Sequence, residues 1–186
     1  VPAGRGHARR PCPRRTTTCQ RRAVKLLVVC LGNICRSPLA EGALRARIEE
    51  SPLAGRVQVD SAGTGDWHAG QPPDSRAIAC ARGHGVDIAG LRARQLHAND
   101  YAHFDWLLCA DEQNLRDVLR RAPAGSHSKA ALLLEWAGLE AGGSIPDPYT
   151  GGHAEFEHAW RLVDSAAQAV VARLCAGRES GIIKDR

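Results

Sequence analysis

The chain has 186 residues, 44% of them hydrophobic, with seven cysteines and 25 Lys+Arg against 20 Asp+Glu. That length suits one domain with a real core, or one domain and a tail. It contains no apolar run of about eighteen residues and no charged-then-apolar leader, so neither a membrane-spanning helix nor a secretory signal peptide is expected. The formal charge of +5 is unevenly spread: residues 1–22 carry seven arginines and no acid, which leaves the remainder at −2. The basic balance belongs to the tail, and nucleic acid is not expected as a partner of the body.

Residues 1–22 are rich in Pro, Gly and Arg and lack hydrophobic periodicity, so they read as a disordered tail. Such an arm either docks on anionic surfaces or has no role. Cys12 and Cys19 within it read as incidental. An odd cysteine count without a leader points to a reducing cytoplasm rather than a disulfide framework. The domain is expected over residues 23–176, with a flexible C-terminal tail over 177–186 and a monomeric state.

Residues 24–31 (VKLLVVCL) form a short β-branched apolar run that reads as a buried parallel strand. Ser37 and Pro38 suit the N-cap and first position of a helix, which Pro52 and Gly55 close. Residues 57–61 alternate and read as a second strand, followed by a Gly/Pro-rich loop over 62–73 and a short helix over 74–83. Residues 104–110 read as a third strand, Asp111 caps another helix, and residues 130–134 are a fourth strand. Phe156, Trp160, Val163, Ala167, Val170 and Leu174 step by three and four along a long final helix. Strands alternating with helices imply an α/β fold: a single doubly wound domain with about four parallel strands flanked by helices. Trp106, Trp136, Trp160, Cys80, Cys109 and Cys175 read as buried packing residues.

Ligands in such sheets sit beyond the carboxyl ends of the strands, where residues 31–37 leave the first one. A tight loop feeding a helix N-terminus aims backbone N–H groups at one point, and the helix dipole favours an anion there. Gly32 permits a close turn, Asn33 tolerates a left-handed conformation, and Arg36 supplies a fork that matches two phosphate oxygens. Cys30 at the floor of this cradle is expected as a nucleophilic thiolate, steadied by the Ser37 hydroxyl. The phosphate-binding set is therefore Leu31, Gly32, Asn33, Ile34, Cys35, Arg36 and Ser37. No Gly-Lys-Ser follows, so this is not a nucleotide P-loop.

The segment V-C-L-G-N-I-C-R-S-P resembles the signature of the low-molecular-weight protein tyrosine phosphatases, bacterial type. D-S-A-G-T-G-D-W-H-A-G (60–70), A-R-Q (93–95), F-D-W-L-L-C-A-D-E-Q-N-L (104–115) and D-P-Y (147–149) resemble further family segments in family order. The resemblance implies catalysis by Cys30, Arg36 and Asp147, with Asp147 as the acid that protonates the leaving oxygen and then activates water. Pro146, Pro148 and a Gly142-Gly143 loop would govern its approach. The resemblance also implies an aromatic rim of Trp67 and Tyr149, and Ser61 holding Asn33. It implies a reversible Cys30–Cys35 disulfide as well. His68 reads first as a solvated loop histidine, with a place near the rim as the alternative.

No cofactor and no metal is expected, since the chain shows no compact His/Cys ligand spacing. The partner would be a phosphotyrosine protein, a bacterial tyrosine kinase being one candidate. Two departures stand out: Leu91 occupies a position where many relatives carry His, and Thr150 follows D-P-Y where eukaryotic members have a second Tyr. Thioredoxin-coupled arsenate reductases share the loop but need two closely spaced downstream cysteines, whereas Cys80 and Cys109 lie far apart here. Protein-arginine phosphatases resemble the loop with Thr in place of Ile34. A non-catalytic phosphoprotein-binding module is the reading from another class.

Overall fold

The first strand, β1 (Val24–Cys30), is apolar along almost its whole length because both of its faces are covered. Leu26, Val28 and Cys30 enter one hydrophobic cluster, and Leu27 and Val29 enter another on the opposite face. In the computed structural model, which describes residues 22–140 and 143–179, β1 pairs in parallel with β2 (Val57–Gly63), Val24 opposite Val57 and Cys30 opposite Gly63. On its other side it pairs in parallel with β3 (Trp106–Cys109), which in turn pairs with β4 (Ala130–Leu132). The strand order is β2-β1-β3-β4, the four-stranded parallel sheet expected from the alternation.

Helices α1 (Arg36–Glu49), α2 (Ser75–Gly83), α5 (Leu133–Ala137) and α6 (His153–Glu179) cover the face built around Leu26 and Val28. The short α3 (Asp100–His103) and α4 (Glu112–Arg121) cover the other, where Tyr101, Phe104 and Val118 meet Leu27 and Val29. Arg47 of α1 donates to both carboxylate oxygens of Asp164 on α6, at 2.8 and 3.0 Å. The chain leaves β1 toward β2 on one side and returns to β3 on the other. The crevice of this switch therefore opens between the carboxyl ends of β1 and β3.

Several boundaries differ from the sequence reading. α1 starts at Arg36, so Ser37 lies inside the first turn instead of capping it, because its hydroxyl is engaged by Cys30 and Asn33. β4 ends at Leu132, and Leu133 and Leu134 turn inward as the start of α5, so an apolar pair read as strand is helix. α3 and α5 are too short to carry a periodicity. α6 runs to Glu179, beyond the expected domain end at 176. Trp136 and Trp160 are buried, whereas Trp106 and Cys175 are only half-buried. Residues 1–21 of the N-terminal tail with Cys12 and Cys19, residues 141–142 and residues 180–186 lie outside the described residues.

Candidate active site

Residues 31–35 leave β1 and run into α1 around the thiol of Cys30, which is 3% exposed. Ser37 Oγ lies 3.0 Å from its Sγ, and the Asn33 backbone N–H donates to it at 3.3 Å. Asn33 adopts φ of 56°, the left-handed region, and is the lone non-glycine residue to do so among the described residues. Its side chain holds it there. Nδ2 donates to Ser37 Oγ at 2.9 Å and to Ser61 Oγ at 2.8 Å, and Oδ1 accepts from the Arg94 N–H at 2.9 Å. Ser61 in turn donates to Glu41 on α1 at 2.5 Å.

The loop after β2 locks the other wall. The N–H groups of Thr64 and Gly65 donate to the carbonyls of Cys30 and Leu31, each at 2.9 Å. Gly65 leaves room for the indole: a Cβ there would lie 1.6 Å from a ring atom of Trp67 and would displace the ring. The indole is thereby laid at the mouth of the cleft, 66% exposed.

Arg36 belongs to α1 but reaches across to the end of β3. It donates to Asp111 at 2.5 Å and to the Ile145 carbonyl at 3.2 Å, and its other terminal nitrogen donates to Asp147 at 2.8 Å. Burial works against its charge, yet Cys30, Asp111 and Asp147 outweigh that cost and hold the guanidinium above its ordinary value. Its buried Nε has no hydrogen-bond partner among the described residues. Ile145 N–H donates to the Ala110 carbonyl at 2.8 Å, pinning the loop that presents Asp147 just beyond the end of β3.

The rim is fixed from α2. Asp74 caps this helix by accepting from the Arg76 N–H, and its own N–H donates to the Ile34 carbonyl at 2.8 Å. Arg76 donates to the Gly151 carbonyl at 2.9 Å and stands 5.7 Å from the centre of the Tyr149 ring. Cys30, Leu31, Gly32, Ile34, Cys35 and Arg36 thus line one cleft together with Trp67, His68, Asp147 and Tyr149. Asn33, Ser37 and Ser61 stand behind it as supports. Burial, and then the charges of Asp74, Cys30 and Asp147, push the Cys35 thiol far up, so at neutral pH it is a thiol.

A family model described as low molecular weight phosphotyrosine protein phosphatase matches residues 25–179. The chain belongs to that family. Its members are protein-tyrosine-phosphatases, hydrolases by reaction class. The chain is 40% identical over 143 residues to the low molecular weight phosphotyrosine protein phosphatase of Schizosaccharomyces pombe, covering 76% of this chain and 91% of the relative. It is 39% identical over 153 residues to the low molecular weight protein-tyrosine-phosphatase of Streptomyces coelicolor, covering 80% and 92%. The crystal structure of a protein tyrosine phosphatase from Entamoeba histolytica, with Hepes in its active site, aligns with a TM-score of 0.79 at 31% identity, covering 84% of this chain and 99% of that one. Vibrio vulnificus Wzb in complex with benzylphosphonate aligns with a TM-score of 0.71 at 32% identity, covering 81% and 99%.

Sequence reasoning missed four supports of this phosphatase-family site. The sequence marks Asp111 as the cap of α4, which it is, accepting from the Asn114 N–H at 2.7 Å, but it also holds Arg36. Glu41, Arg94 and Arg76 carried no signal beyond charge, since their partners lie 20, 61 and 75 residues away. Arg94 falls in the A-R-Q segment, the one place where a motif could have marked it.

Proposed function

We propose that this phosphatase hydrolyses phosphotyrosine in proteins through a phosphocysteine on Cys30, without a metal. The observation that supports this best is the meeting of Cys30, Arg36 and Asp147 in one cleft, with two hydrogen bonds to Sγ and a buried guanidinium beside it. The Cys30 thiolate attacks phosphorus while Arg36 and the loop N–H groups hold the equatorial oxygens. The bond from phosphorus to the tyrosine oxygen breaks, and Asp147 gives that oxygen its proton. Asp147 then takes a proton from water, the oxygen attacks phosphorus, and the sulfur–phosphorus bond breaks to restore the thiolate and release phosphate.

The exposed faces of Trp67 and Tyr149, with Ile34 inside the rim, favour an aryl phosphate over a guanidino phosphate. The benzylphosphonate held by the Vibrio vulnificus relative is likewise an aryl-bearing phosphonate. The protein substrate is a cytoplasmic target of a tyrosine kinase, acted on by a monomer. The test is hydrolysis of an aryl phosphate, a phosphotyrosine peptide and a phosphoarginine peptide in the presence of a chelator. The wild type turns over the first two. Cys30→Ser abolishes turnover, Asp147→Asn slows it at least ~100-fold, and acid quenching traps phosphate on Cys30. A wild type that binds phosphate but turns over none of the three is a binding module, and the reading fails.

A further inference from the structure

A second group of reactive side chains lies away from the cleft, between the end of α2 and the first half of α6. Cys80 and His84 are four residues apart, about one helical turn, and so project on one side of α2 and its cap. Glu157 faces them from α6. Cys80 Sγ donates to one Glu157 oxygen at 3.3 Å, and His84 Nε2 lies 2.9 Å from the other. The sulfur, one imidazole nitrogen and one carboxylate oxygen all lie within 4.8 Å of one another. Cys80 is 3% exposed, and the His84 ring is stacked on Trp160 with centroids 4.8 Å apart and planes 9° apart, which fixes the imidazole. The expectation of no compact His/Cys spacing overlooked this pair, whose third member comes 73 residues later.

We propose that Cys80, His84 and Glu157 form a zinc site that clamps α2 to α6. A thiolate, an imidazole and a carboxylate make the mixed donor set that Zn2+ takes, whereas Mg2+ and Ca2+ require several hard oxygens. Tetrahedral zinc with bonds of about 2.0–2.3 Å holds its donor atoms roughly 3.3–3.8 Å apart. The sulfur, one imidazole nitrogen and one carboxylate oxygen lie within 4.8 Å of one another, so shifts of about an ångström, by rotation of the half-buried Glu157 and exposed His84 side chains, bring them to that spacing. The cation replaces the thiol proton, which leaves to solvent, and water takes the fourth position. The stack on Trp160 holds the plane of the His84 ring, which limits the loss of side-chain freedom when the ion binds. The far end of α2 carries Asp74 and Arg76, which hold the Ile34 carbonyl and stand over Tyr149. Tying α2 to α6 therefore also steadies one wall of the cleft.

The test uses the full chain stripped with a chelator, then titrated with Zn2+ while its melting temperature is recorded, and with Co2+ while its absorption is recorded. Three variants accompany the wild type: Cys80→Ala, Glu157→Gln, and His84→Phe, which keeps the aromatic stack. Cys12, Cys19, Cys30 and Cys35 remain in all samples, so ions bound there cancel in the difference. At an ion concentration about a hundred times the dissociation constant, the wild type gains roughly 5 °C or more over the variants. Its tetrahedral cobalt bands exceed theirs by one equivalent, and Cys80→Ala loses the matching thiolate-to-cobalt band. Metal-free melting temperatures of Glu157→Gln and His84→Phe close to the wild type show that the fold survives. An equal zinc response in wild type, Glu157→Gln and His84→Phe overturns the proposal and leaves the group as a hydrogen-bonded tie.

Discussion

Arg36 and Asp147 are paired at 2.8 Å, so the guanidinium that the proposed chemistry assigns to phosphate is held by the acid it assigns to the leaving group. Asp111 holds the same guanidinium from the opposite side at 2.5 Å and, at 24% exposure, is the more enclosed of the two carboxylates, against 42% for Asp147. In the proposed chemistry a phosphate dianion would compete with Asp147 for Arg36 while Asp111 keeps the arginine aimed, and the more exposed Asp147 is the partner that would yield and turn to the leaving oxygen.

Asp111→Asn separates orientation from folding. Asparagine caps a helix as well as aspartate does, so the melting temperature should change little. The neutral amide holds the guanidinium less firmly, and kcat/KM for an aryl phosphate is expected to fall about tenfold, as for one charge-assisted hydrogen bond. Arg36→Lys loses the planar fork itself and should cost ~100-fold or more. Steady-state kinetics beside thermal melts check both, and an unchanged kcat/KM in Asp111→Asn would discard the aiming role.

Gly65→Ala is a probe of the rim. The added methyl collides with the Trp67 ring and must displace it from the mouth. If the indole is a wall for the substrate ring, KM for aryl phosphates rises several-fold while kcat holds. Trp67→Ala should copy the effect, with stability within about 0.5 kcal/mol of wild type because the ring is largely solvated. A KM that stays fixed in both variants removes Trp67 from the rim.

The pair between Arg47 and Asp164 makes a pH signature. Hydrogen bonding to Arg47 is the main cause that draws the Asp164 carboxyl below its ordinary value of 3.8, against the opposing cost of burial. A carboxyl lowered on folding contributes stability above its unfolded value and loses it as pH falls through the folded one. Asp164→Asn should therefore cost about 0.5–1 kcal/mol at pH 7 for this partly exposed pair. Denaturant titrations repeated at falling pH should see that cost vanish once wild-type Asp164 is protonated. A cost independent of pH would mean lost packing instead.

Cys35→Ala addresses the second thiol of the loop. Cys35 is buried and held as a thiol, so its removal should leave turnover within a few-fold of wild type. If it protects Cys30, peroxide-treated wild type regains activity with a dithiol, whereas Cys35→Ala is overoxidised and does not. Equal recovery in both would end the redox reading.

The local pattern was enough for the sheet and for the cradle. The alternation of β-branched runs with helical periods dictates parallel strands. A glycine and an asparagine between a strand and a helix, with an arginine opening that helix, mark a tight turn that aims N–H groups at one point, the local pattern of an anion cradle. The acid was legible only because D-P-Y resembles a family motif, since an aspartate between prolines is locally just a turn. Short α3 and α5 were invisible because one or two turns carry no period, and Leu133 and Leu134 read as strand until α6 covered them.

Spacing within one segment was settled by the sequence itself: which thiol ends β1, which arginine follows it, which loop bends. Only the tertiary structure decided the partners brought from afar, Asp111 for Arg36, Arg94 and Ser61 for Asn33, and Glu157 for Cys80 and His84. The physical reason is that a hydrogen bond between side chains needs a specific distance and direction, which no periodicity encodes. That geometry exists only after β1 and β3 lie side by side and α2 packs on α6.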